Sequence, residues 1–188
     1  LEAYPVTTER YLNLVFYGYL GYGSDGDILT WVYDKGKKCR LTASDALAMA
    51  QTDLEELAAL VEKAVSEKNE DVPRTVEKVE LSGFYIRPDG EVVLYLYCWL
   101  EELDLTEKGQ GYRDAWRCNF TYTSTDKSLV RFTGYEYDEE GIYQRVPLIA
   151  AQEVDETEKP LWCRWKFSET GEPAGGLVTP ERRLLKEQ

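Results

Sequence analysis

Between residues 11 and 20 the chain alternates with period two. Leu12, Leu14, Phe16 and Leu20 fall on one side, with Tyr11, Asn13, Val15, Tyr17 and Tyr19 on the other, which predicts a β-strand. A glycine-rich stretch, Gly21 to Gly26, predicts a turn or short loop, and residues 27–34 read as a second strand. Asp34-Lys35-Gly36-Lys37 then reads as a tight turn with Gly36 in the positive-φ position. Residues 1–10 carry no clear period and read as an irregular lead-in.

The period then changes. Thr42 or Ser44 can cap a short helix running to about Ala50. Thr52-Asp53-Leu54-Glu55 matches a capping box, with Thr52 as cap and Glu55 at N3. Leu54, Leu57, Ala58, Val61, Ala64 and Val65 recur at three- and four-residue steps, the apolar stripe of a longer helix. Pro73 lies beyond its end. Residues 76–87 and 91–100 predict a β-hairpin around Arg87-Pro88-Asp89-Gly90. Val92, Leu94, Leu96, Cys98 and Leu100 line one side of its second strand; Val93, Tyr95, Tyr97 and Trp99 line the other. A polar loop is expected over 101–111, and strands over 112–123, 128–137, 142–150 and 161–168.

The expected fold is α+β: an antiparallel sheet with one principal helix packed on one face, followed by additional C-terminal strands. Residues 1–123 form the first expected unit and 124–188 a β-rich extension packed on it. The helix stripe should meet Leu12, Leu14, Phe16, Leu94 and Leu96. The opposite faces would then gather Tyr17, Tyr19, Tyr95, Tyr97 and Trp99, an aromatic platform suited to glycan stacking. In the competing arrangement the C-terminal strands cover these rings with Trp162, Trp165 and Phe167.

Charge narrows the partners. Across 188 residues, 35 acidic and 22 basic side chains leave a net charge of −13. That excludes the counterion exchange on which nucleic-acid binding depends, and direct contact with an anionic membrane is likewise not expected. Between Glu136 and Glu158 the only basic residue is Arg145, so this stretch could steer a cationic protein, with Tyr135, Tyr137 and Tyr143 as aromatic anchors beside it.

Chemistry is sparse. The chain has no histidine, which removes Ser-His-Asp and Cys-His catalysis and histidine metal sites. No cofactor or metal site is expected: Asp25 and Asp27 lack the spacing of a calcium loop. Glu101-Glu102-Leu103-Asp104 holds the one acid cluster worth weighing as a glycosidase pair. Cys39, Cys98, Cys118 and Cys163 allow two disulfides in three connectivities, or buried free thiols. Asn119-Phe120-Thr121 matches a glycosylation sequon.

Four phrases carry a resemblance. They are Val15-Phe16-Tyr17-Gly18-Tyr19 before the glycine-rich turn, Val32-Tyr33-Asp34-Lys35-Gly36-Lys37 leading to Leu41-Thr42, the long helix, and Phe84-Tyr85-Ile86-Arg87-Pro88-Asp89-Gly90-Glu91-Val92-Val93-Leu94-Tyr95. Over about residues 11–122 the chain resembles a bacterial extracellular domain family found in the ectodomains of lysozyme-sensing anti-sigma factors and beside polysaccharide deacetylase domains. The family often has a Gly-Gly-Ala-His type turn after its first strand, where this chain has Gly21-Tyr22-Gly23. Lysozyme recognition is therefore carried to no named residue. The resemblance implies an extracellular or surface-anchored protein, with a signal or anchor ahead of Leu1.

The function expected from sequence is a non-catalytic extracellular binding or sensory domain, its ligand an extracellular cationic protein or a cell-wall glycan. The alternatives are a carboxylate-pair glycan hydrolase and a structural module accompanying a catalytic domain.

Overall fold

The structure, a computed structural model, describes residues 2–18, 26–67, 74–105, 111–137, 139–141 and 143–149; for 102–105, 111–116, 135–137 and 143–145 it describes the backbone alone. Among the described residues, two four-stranded antiparallel sheets, a short two-stranded ribbon and two helices make a mixed α+β fold that is mostly strand. Sheet A runs in simple order through β1 (Glu2–Thr7), β2 (Tyr11–Gly18), β3 (Asp27–Asp34) and β4 (Cys39–Arg40). The helices α1 (Ala43–Ala50) and α2 (Leu54–Glu67) follow. Sheet B is built from β5 (Arg74–Ile86), β6 (Val92–Leu105), β7 (Gly111–Thr123) and β8 (Ser128–Phe132), and β9 (Tyr135–Tyr137) pairs with β10 (Tyr143–Arg145). The division expected at residue 124 falls in the turn between β7 and β8, which pair from Thr123↔Ser128 to Asn119↔Phe132. The strand expected over 161–168, with Trp162, Trp165 and Phe167, lies outside the described residues.

Local chemistry explains the element ends. Thr42 and Asp45 form a reciprocal capping box on α1, and Gln51 closes that helix in the left-handed region at φ 53°. At α2 the cap sits one residue later than expected. Asp53 Oδ1 accepts the Glu56 amide at 2.9 Å and the Asp53 carbonyl accepts the Leu57 amide at 3.1 Å, while the Thr52 hydroxyl bonds the Glu56 carboxylate. A carboxylate outcompetes a hydroxyl for an N-terminal amide, because it also meets the positive end of the helix dipole. Gly90 takes φ 91° in the β5–β6 turn, as its place after Pro88-Asp89 demands. The turn after β3 differs from expectation: its left-handed residue is Lys38 (φ 55°) and not Gly36. There Asp34 Oδ1 accepts the Gly36 and Lys37 amides, both at 2.9 Å, so a side chain organises the turn without positive φ at glycine.

Two further expectations are corrected. Residues 2–7 are not irregular but form the edge strand β1, and an edge is where a strand tolerates Pro5. The 101–111 loop is shorter, because β6 continues to Leu105 opposite Gly111 of β7.

Sheet B is apolar on both faces. Phe84, Ile86, Val92, Leu94, Leu96, Cys98 and Leu100 share one core with Ala46 and Ala50 of α1 and with Leu57, Val61 and Val65 of α2. Tyr85, Val93 and Tyr95 share the other with Tyr4, Val6, Val15, Tyr17 and Ile28 of sheet A, and Ile149 joins them. The two faces read from β6 are thus both real, each with its own core. The expectation for sheet A is reversed. Register places Tyr4 and Val6, Asn13, Val15 and Tyr17, and Ile28, Thr30 and Val32 on one face. This face is the one turned inward, whereas Leu12, Leu14 and Phe16 are half-buried and belong to neither core. Nor is Leu54 a core residue: it is 44% exposed, whereas Leu57 and Val61 are fully buried.

The seam between the sheets is polar at its centre. The β5 edge that does not pair with β6 runs against the inner face of sheet A. Thr30 Oγ1 accepts the Phe84 amide at 2.9 Å, and Asn13 Oδ1 accepts the Ile86 amide at 2.9 Å. Two side chains therefore occupy the positions of a neighbouring strand's carbonyls. Gly83 permits the approach, since a Cβ there would lie 2.6 Å from both Cγ2 and Oγ1 of Thr30.

Candidate functional site

The aromatic residues picked out by alternation do not form one surface. Tyr17 and Tyr95 are 3% and 1% exposed and belong to the inter-sheet core, where Tyr95 stacks on Tyr85 at 6.0 Å and Tyr17 meets Phe132 edge-on at 5.4 Å. Rings so placed hold the sheets together and offer no platform. Phe132, Leu148 and Ile149 also pack in or against this core, while Trp162, Trp165 and Phe167, the cover expected from sequence, lie outside the described residues. Tyr19 lies outside the described residues. Tyr135, Tyr137 and Tyr143 lie on the β9–β10 ribbon, where Tyr143 pairs with Tyr137 and Arg145 with Tyr135.

Tyr97 and Trp99 remain together on one face of β6, an inner strand of sheet B. The Tyr97 hydroxyl accepts the Ile28 amide and donates to the Ile28 carbonyl at 3.2 Å, and burial raises its pKa above the ordinary tyrosine value. The Arg117 guanidinium lies 4.5 Å from the Tyr97 ring centre and 6.0 Å from that of Trp99, and pairs with Asp27 at 2.7 Å. Trp99 is 37% exposed. Beside it Lys78 and Glu80 pair at 2.6 Å; Lys78 first, then the Trp99 indole, hold the Glu80 carboxyl below its usual range. The result is one accessible indole ringed by hydrogen-bonding charges.

A second surface escaped the sequence reading because it lies on the face assigned to the core. On the outer side of sheet A, register sets Leu12 opposite Tyr33, Leu14 opposite Trp31 and Phe16 opposite Leu29. Trp31 and Tyr33 stack with centres 5.7 Å apart and planes 7° apart. Leu29 is 64% exposed and the other five are half-buried. None of the six belongs to either core. Their alternation was visible in the sequence; which side faced out was not.

The chemical candidates resolve differently. Of the acid cluster, Glu101 is a half-buried residue of β6, and the side chains of Glu102 and Asp104 lie outside what the structure describes. Asp27 is engaged by Arg117, and Asp25 lies outside the described residues. Asn119 of the sequon is fully buried, with its side-chain amide donating to the Gly26 carbonyl at 3.0 Å, so the folded domain withholds it from a glycosyltransferase. Cys39 is exposed, whereas Cys98 and Cys118 are buried directly opposite each other on β6 and β7. Among the described residues, no helix is long and apolar enough to cross a membrane. No protein-family model, curated protein or solved structure matches the chain.

Proposed function

We propose that this chain is a non-catalytic extracellular binding or sensory domain of a bacterial surface protein, and that the outer face of sheet A is where it takes a protein partner. One observation carries the reading: Leu12, Leu14, Phe16, Leu29, Trp31 and Tyr33 form paired rows on adjacent strands and join neither core. Contiguous apolar surface outside a core marks an interaction site. The six side chains carry two polar groups, the Trp31 indole N–H and the Tyr33 hydroxyl, with Thr7 and Arg40 at the margins of the same face, which suits a largely apolar protein segment better than a hydroxyl-rich sugar. The net charge of −13 favours a cationic partner. The resemblance to anti-sigma-factor ectodomains supports the extracellular setting. In the same reading α2 is the principal helix and covers one face of sheet B, turning Leu57 and Val61 onto Leu94 and Leu96.

A glycan is the second reading, and a different surface favours it. Trp99 offers an accessible ring with Arg117, Lys78 and Glu80 around it, combining stacking with hydrogen bonding.

Calorimetric titration with lysozyme, as a basic extracellular protein, and with soluble cell-wall fragments tests both. Leu29→Glu and Trp31→Ala should weaken protein binding at least tenfold and leave glycan binding unchanged; Trp99→Ala should do the reverse. Raising salt from 0.1 to 1 M shortens the Debye length from about 10 to about 3 Å and should weaken the protein complex alone. Absence of binding by both ligands would sink the binding-domain reading in this form.

A further inference from the structure

We propose that Cys98 and Cys118 are joined by a disulfide across β6 and β7 when the domain folds in an oxidising compartment. The inference is independent of which ligand the domain binds. Four cysteines allow two disulfides in three connectivities, and among the described residues the strand register sets Cys98 opposite Cys118. Cys98 and Cys118 are direct partners in an unbroken ladder that runs from Val93↔Thr123 to Leu105↔Gly111. Facing residues on antiparallel strands hold their Cβ atoms about 4.5–5.5 Å apart, and a disulfide needs about 3.5–4.5 Å, so a small closing movement suffices. Both side chains point to the same side of sheet B, into the core shared with α2.

The surroundings favour a bond over two thiols. Both residues are 0% exposed and sit among Leu96, Leu100 and Phe120. The Cys98 thiol faces Cys118, makes a long contact, 3.9 Å, to the Trp99 carbonyl, and feels the Arg131 charge. A hydrogen bond to Cys118, then burial, pushes the Cys98 thiol well above its ordinary pKa, so the finished core holds it protonated and unreactive. Oxidation therefore belongs to the folding chain, before α2 closes over the pair. A thiolate of one cysteine attacks a low-molecular-weight disulfide such as oxidised glutathione, forming a mixed disulfide and releasing one thiol. The second cysteine then displaces the remaining thiol. Two protein thiols lose two electrons and two protons, and the small disulfide is reduced to two thiols.

The test is disulfide mapping of the whole chain, refolded in a reduced/oxidised glutathione couple, alkylated and digested without reductant. The expected result is a peptide bearing Cys98 linked to one bearing Cys118, lighter by the two lost hydrogens. In a Cys39→Ser/Cys163→Ser background, the oxidised protein should melt higher than the same protein in dithiothreitol. Adding Cys98→Ala and Cys118→Ala to that background should abolish the reductant response. Full alkylation of both cysteines after oxidative refolding would overturn the proposal, and so would a link from Cys98 to Cys39 or Cys163.

Discussion

Asn13 grips Ile86 at both ends of its backbone: Oδ1 accepts the Ile86 amide at 2.9 Å, and Nδ2 donates to the Ile86 carbonyl at 3.1 Å. The same Nδ2 donates to the Val6 carbonyl at 2.8 Å, so one buried amide ties β1, β2 and β5 together. Asn13→Leu would strand the Ile86 amide and two carbonyls away from water. Each such group costs about 1–3 kcal/mol. Urea denaturation should show a loss of at least about 2 kcal/mol. A variant as stable as the parent would refute the role.

Gly83 and Thr30 form a matched pair, because the space a Cβ would need at 83 is filled by the Thr30 side chain. Gly83→Ala should cost about 1–3 kcal/mol through overpacking. In a double-mutant cycle with Thr30→Ala, the penalty at position 83 should shrink, since the two atoms at 2.6 Å are gone and the nearest remaining one, the residue-30 Cβ, lies at 3.1 Å. Additive effects would show that the two do not touch in solution.

Position along α2 should decide the cost of truncation. Leu57 is fully buried, and Leu57→Ala should lower stability by about 2–5 kcal/mol. Leu54, 44% exposed, should lose no more than about 0.5 kcal/mol on the same change. Chemical denaturation of the two variants side by side decides; equal losses would place the helix stripe wrongly.

Asp34 should give the domain an acid-sensitive component. Its carboxyl is held below the ordinary aspartate value first by the Arg10 guanidinium, at 2.9 Å, and then by the Lys37 amide. A depressed folded-state pKa stabilises fully above the unfolded value, about 3.9, and that stability is lost as pH falls through the folded value. The stability gap between the parent and Asp34→Asn should therefore be flat near neutrality and close below about pH 4. Arg10→Ala should shift that closing to higher pH. Urea midpoints measured from acid to neutral pH would show it, and a gap that ignores pH would contradict it.

Sequence pattern found what depended on neighbours along the chain. Both helices, the Pro88-Asp89-Gly90 turn and the two faces of β6 were legible, because their signals are local periods and turn residues. What escaped was the choice between two nearly equivalent faces of β2. Leu12, Leu14 and Phe16 look more apolar than Asn13, Val15 and Tyr17, so the first set was placed inside. Asn13 reverses the order, since its burial is offset by bonds to Val6 and Ile86, and Ile86 lies far along the chain. The outward apolar face of sheet A was misplaced for the same reason. Tyr17 and Tyr95 likewise went from a supposed platform to the core, whereas the accessibility of Trp99 survived.

The grip of sheet A on β5 also guards the protein against its own copies. Amides at Phe84 and Ile86 point away from β6, and they belong to Phe84-Tyr85-Ile86, an apolar stretch of strong strand-forming residues. Left bare, such an edge is a template on which another chain can add a strand. Thr30 and Asn13 stand where that intruding backbone would have to lie. Loosening the seam would therefore have a second effect besides lower stability: the unfastened edge would become a seed for polymerisation.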